Sequence, residues 1–122
     1  MAKLTAEEEQ LTESYILLEM ARKVLEIDLA RLDQAPLKLK DPYIRLLEVT
    51  LHRLSRQLYT TRFSMKQLGI KVQLNEYDET FSEYSIFFRG YVVTAKYLNA
   101  HLKNQVSRQI EDLFTYGKKE VH

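Results

Sequence analysis

Glu48 and His52 stand four residues apart in a stretch of helical periodicity. That spacing puts a carboxylate and an imidazole on one helix face, where both could reach one metal ion. Two groups are too few for a site, and an exposed helix ion pair is the plainer account of them. His101 and His122 have no neighbours spaced for ligation. A di-iron bundle needs Glu-x-x-His pairs on two helices, and the chain has none. No Gly-rich loop is present to cradle phosphates. No local signature joins Ser, His and Asp into a triad. With no cysteine there is no thiolate chemistry and no disulfide. These features point away from an enzyme and imply no metal, no cofactor and no small-molecule substrate.

Charge is the chemistry that remains. The 122 residues hold 18 Lys plus Arg against 17 Asp plus Glu, a net charge of +1. The balance is nevertheless segregated: residues 5–35 carry eight acids and three bases, residues 38–71 eight bases and two acids. One explanation is intramolecular, with two antiparallel helices attracting each other through exposed pairs worth under about 1 kcal/mol each. The other is an anionic partner. In that case Arg45, Arg53, Arg56 and Arg62 would form the basic face of a nucleic-acid-binding regulator. A sequence-independent DNA binder carries a strong net positive charge, which this chain lacks, so nucleic acid is the weaker choice.

Three glycines and two prolines are few for this length and suit long helices. Thr5-Ala6-Glu7-Glu8 fits a capping box, and Leu11, Tyr15, Leu18, Leu25, Leu29 and Leu32 recur at helical steps as far as Pro36. Asp41 and Pro42 suit the start of a second helix, whose stripe runs from Tyr43 to Leu68 and stops at Gly69. Ile70, Val72 and Leu74 alternate with polar residues, as in a short strand or extended linker. Tyr84, Ile86 and Phe88 alternate too, so a β-hairpin over 70–88 is conceivable. Against it stand a second capping box at Thr80-Phe81-Ser82-Glu83 and the near-heptad series Tyr84, Phe88, Tyr91, Ala95, Leu98, Leu102. The expectation is therefore an all-α chain, a single helical domain over 1–122. It is an elongated antiparallel three-helix bundle, coiled-coil-like, with helices at about 5–35, 42–68 and 81–116. Gly117 ends the last helix, Gly90 kinks it, and 70–79 is an extended linker. Tyr15, Tyr43, Tyr84 and Tyr91 fall on core stripes.

Two surfaces exceed what such a bundle must bury. On the first helix Leu17, Met20, Val24 and Ile27 form a second apolar stripe, leaving about 120° for polar residues. Either two partner helices cover it or another chain does. On the second helix Val49, His52, Arg56, Tyr59 and Phe63 run opposite the core stripe at steps of three and four. A row of apolar residues flanked by Arg suggests an interface. These nine residues are the candidate contacts of a non-enzymatic interaction module that self-associates as a homodimer or meets another protein. No apolar run approaches the ~18–20 residues of a membrane span, and the first residues lack the apolar core of a signal peptide. The expected setting is cytoplasmic.

Three stretches add a resemblance. Leu11-Thr12-Glu13-Ser14-Tyr15-Ile16, the loop Pro36-Leu37-Lys38-Leu39-Lys40-Asp41-Pro42-Tyr43, and Phe87-Phe88-Arg89-Gly90-Tyr91 resemble an uncharacterised family of small proteins from Bacillus-type, spore-forming bacteria, the YhjD-like proteins. The resemblance implies a cytosolic bacterial setting and no assigned activity or site residues.

Overall fold

The first two helices form as their end signals dictate. In the computed structural model, which describes residues 3–120, α1 spans Ala6–Gln34 and α2 spans Asp41–Leu68. At the start of α1 the Thr5 hydroxyl accepts from the Glu8 amide at 3.1 Å, while the Thr5 amide donates to the Glu8 carboxylate at 2.9 Å. Both orphan donors are thereby satisfied. Ala35, just before Pro36, is already extended. Lys40 occupies the cap position of α2, which places Asp41 and Pro42 inside the first turn. Gly69 closes α2 at φ 69°, and the following amide, of Ile70, donates to the Met65 carbonyl.

From Lys71 onward the chain departs from the all-α expectation. Three strands, β1 (Lys71–Tyr77), β2 (Phe81–Phe88) and β3 (Tyr91–Leu98), make an antiparallel sheet in the order β1-β2-β3. Only then does α3 (Asn99–Glu120) begin, and it continues past Gly117. The 81–116 helix, the 70–79 linker, the coiled coil and the purely helical domain are thus corrected to an arrangement of three helices and one sheet. The physical reason lies in residue type. Segment 81–98 is crowded with aromatic and β-branched side chains, which fit a pleated surface better than a helix. Gly90 is no kink: Arg89 and Gly90 have φ of 48° and 79°. Two consecutive positive φ angles make a two-residue hairpin turn of the type whose twist matches its strands.

Each end of the sheet is fixed by polar contacts. The Asp78 carboxylate accepts from the Thr80 and Phe81 amides at 2.8 and 2.7 Å, so the expected second capping box is instead the β1–β2 turn. Asn99, at the junction of β3 and α3, donates to the Asp78 carbonyl and accepts from the Ser82 hydroxyl. At the other end the Arg89 guanidinium grips the Glu8 carboxylate with contacts of 2.8 and 3.2 Å and donates to the Lys3 carbonyl. The hairpin tip is therefore tied to the N-terminus of α1.

Two hydrophobic clusters result. Leu18, Ala21 and Leu25 of α1, Leu47, Leu54 and Leu58 of α2, and Val106 and Leu113 of α3 form the helical core. Met65, Ile70, Ile86 and Phe88 form a second core beneath the sheet, with Leu11 and Tyr15 of α1 packed against it. Tyr15 and Tyr84 are half-buried as their stripes require, whereas Tyr43 and Tyr91 are exposed.

Candidate functional site

Helix α2 has two unlike faces because its apolar residues follow two rows about half a turn apart. Leu47, Leu54, Leu58 and Met65 are buried. Opposite them, Val49, His52, Arg56, Tyr59 and Phe63 are all exposed, with Tyr59 at 73% and Phe63 at 55% of full accessibility. No ion pair joins Glu48 to His52 among the described residues.

Beside that row lies an open groove of about 930 Å³, floored by Ser14 and Leu18 of α1 and walled by α2 and by Gln109 of α3. Arg45, Glu48, Val49, His52, Arg53 and Arg56 all line it. Arg53 reaches across to α3, donating to the Leu113 carbonyl at 3.2 Å. Arg45 and Arg56 meet no acid within ion-pair distance among the described residues. Arg62 lies elsewhere: it pairs with Glu19 at 3.0 Å and stands over the Tyr15 ring. The structure thus gathers three of the four candidate arginines and leaves the fourth bridging α1 to α2.

The α1 stripe divides in the same way. Leu17 and Met20 are half-buried against the helical core, and Leu17 also faces Tyr97 and Leu102 across a small cavity. Val24 and Ile27 remain exposed, on the side of α1 turned away from Leu18 and Leu25. They do not extend the α2 row.

Local charge shapes three groups near these surfaces. The Arg89 guanidinium, aided by the Thr5 amide, lowers the Glu8 carboxyl to about 2. Burial pushes the Glu19 carboxyl up, but Arg22 and Arg62 beside it outweigh this and leave it below its ordinary value. Burial raises the Tyr97 hydroxyl, and the neighbouring Glu13 charge adds to that. Among the described residues no cluster of three His, Cys, Asp or Glu side chains is placed to hold a metal ion. None of the described helices is long and apolar enough to cross a membrane.

The family model described as "YhjD protein" matches residues 3–118. The chain belongs to the YhjD family. An uncharacterised YhjD protein of Bacillus subtilis (strain 168) is 32% identical over 116 residues, covering 95% of this chain and 93% of that protein. No solved structure matches. The family is uncharacterised and brings no catalytic or binding residues with it.

In this YhjD-family chain, two features of the groove escape sequence reasoning. Gln109 sits in the periodic stripe of α3 and reads as a core position, yet its side-chain oxygen is shut off from solvent and unpaired among the described residues. Ser14 and Leu18 form the groove floor only because α2 and α3 stand on either side of them. Neither signal exists in a linear pattern.

Proposed function

We propose that this YhjD-family protein is a non-enzymatic, cytoplasmic interaction module that self-associates as a homodimer through the outer face of α2. The observation that carries the reading is the row Val49, His52, Arg56, Tyr59 and Phe63, exposed along a helix whose opposite face is buried at Leu47, Leu54, Leu58 and Met65. Its steps alternate between four and three, the spacing that lets one helix lie along another. In an antiparallel pair of second helices, Val49 faces Tyr59 and Arg45 faces Phe63. Each contact occurs twice, as an isologous interface requires. Val24 and Ile27 stay available to a different protein. A second reading, nucleic-acid binding through Arg45, Arg53 and Arg56, draws on their shared groove but loses Arg62 to Glu19.

Light scattering over a concentration range tests the proposal. The wild-type mass rises toward twice the monomer value, and Tyr59→Glu combined with Phe63→Glu returns it to the monomer without loss of helicity, since both side chains are exposed. A wild-type monomer throughout, or a dimer indifferent to both substitutions, refutes it.

A further inference from the structure

The hairpin of α1 and α2 ends in a tip that neither hydrophobic core uses. Counted along α1, the loop 35–40 lies about 30 Å beyond Tyr15, the residue that meets the sheet core. Its residues alternate in character, Leu37, Lys38, Leu39, Lys40, and Leu39 keeps 74% of full accessibility. Tyr43, four residues before the buried Leu47, continues the core row of α2 toward the tip, yet is 56% exposed. This exposure is not slack in the chain. The Leu37 amide donates to the Ala35 carbonyl at 2.9 Å, the Lys40 ammonium to the Asp33 carbonyl at 2.7 Å, and the Tyr43 and Ile44 amides to the Lys40 carbonyl at 3.0 Å. The loop is held in a shape that leaves its leucines in water.

Charge selects what such a tip fits. Residues 31–46 carry four bases, Arg31, Lys38, Lys40 and Arg45, against two acids, Asp33 and Asp41. None of the four bases meets a carboxylate within ion-pair distance among the described residues. Asp41 lies in the first turn of α2, where the helix dipole already favours it. Size narrows the choice further. A folded protein partner needs about 20–30 residues a side for a stable contact, and the tip offers a handful. A lipid layer has no such requirement. It closes round a protrusion, takes leucines at its acyl boundary and tyrosine at headgroup level, and draws lysines to an anionic surface.

We propose that the α1–α2 tip docks reversibly on an anionic bilayer surface, with Leu37 and Leu39 at the acyl boundary, Tyr43 among the headgroups, and Lys38 and Lys40 against lipid phosphates. Nothing spans the bilayer. The tip lies off the outer row of α2 offered for self-association, so docking is read per chain whatever the assembly state.

Co-sedimentation of the full chain with vesicles at about 5 mM lipid tests this, using phosphatidylcholine alone and phosphatidylcholine with about one-third phosphatidylglycerol. The chain sediments with the anionic vesicles and not with the neutral ones. Lys38→Gln weakens binding about fivefold at low salt, the share of one basic side chain near the surface, and the difference shrinks as salt rises. Leu39→Ser weakens it about tenfold at any salt, the share of one leucine leaving water. Tyr77→Ser, which removes an equally exposed side chain from the sheet, changes nothing. Lys38 and Leu39 are both exposed, so neither substitution disturbs the fold, and circular dichroism checks that. Failure to sediment with the anionic vesicles overturns the proposal, as do equal binding to neutral vesicles and wild-type binding by both tip variants. So does a chain that ignores vesicles and loses mass in light scattering on Leu39→Ser, since the tip is then a contact between copies.

Discussion

Gly90→Ala discriminates between a hairpin and a helix at residues 81–98, because the two arrangements predict opposite signs. In a continuous helix, replacing an interior glycine by alanine stabilises by about 1 kcal/mol. In the structure Gly90 has φ 79°, the second of two left-handed residues in the β2–β3 turn. An L side chain there is disfavoured by roughly 1–2 kcal/mol. The site adds no steric contribution, since a Cβ at Gly90 would meet nothing within 4 Å. The backbone penalty is therefore the whole effect, and the two arrangements differ by roughly 2–3 kcal/mol. Urea unfolding followed by far-UV circular dichroism measures it. With a slope near 2 kcal/mol per molar urea, the midpoint falls by about 0.5–1 M. An unchanged or raised midpoint with an unchanged slope would refute the hairpin turn.

Three further outcomes follow from the same structure. Stability falls as pH drops from about 4.5 through about 2, because the Glu8 carboxyl is lowered in the folded protein and must be protonated there against its Arg89 contact. Above that window the contribution is fully present, so Glu8→Gln lowers stability at neutral pH and flattens the acid limb of a pH–stability curve measured by urea unfolding. Leu54→Ala removes a fully buried side chain from the helical core and destabilises by about 2–5 kcal/mol, while leaving the assembly state at native temperature unchanged in light scattering. Arg89→Asn separates turn from clasp: asparagine tolerates the left-handed conformation, so thermal melting registers the lost Glu8 and Lys3 contacts, and the lost stacking on the Phe88 ring, as a lower midpoint.

The first two helices were legible because their signals are local. Thr5 and Glu8 cap α1, Pro36 ends it, and Gly69 ends α2, and each acts within a few residues of its own position. The third segment misleads for a geometric reason. Tyr84 pairs with Ala95 and Phe88 with Tyr91 across the hairpin, so these four residues share one sheet face. Steps of four within each strand and three across a two-residue turn reproduce the spacing of a helical stripe. The series alone cannot separate the two. Leu98 could have: in the helix it continues the stripe, but on the sheet it falls on the opposite face and is half exposed. Residue type carried the deciding information, in Val92, Val93 and Thr94 as much as in the Ile86 alternation. On α2 the exposed row was visible as periodicity. The groove was not, because it depends on where α1 and α3 come to rest.

The same geometry accounts for the unusually broad apolar surface of α1. A helix in a two-layer bundle needs one stripe; this one meets a different neighbour on each of several sides. Leu18 and Leu25 face the helical core, Leu17 lines the cavity with Tyr97 and Leu102, and Leu11 packs toward the sheet. Tyr15 touches both cores, with Arg62 over its ring. The first half of α1 is therefore the element on which sheet and helices both depend, and the Glu8–Arg89 clasp holds the sheet to it at the tip of the hairpin. Loss of packing at Tyr15 is therefore expected to loosen both clusters together. Val24 and Ile27, beyond the reach of the sheet, are where that coverage ends.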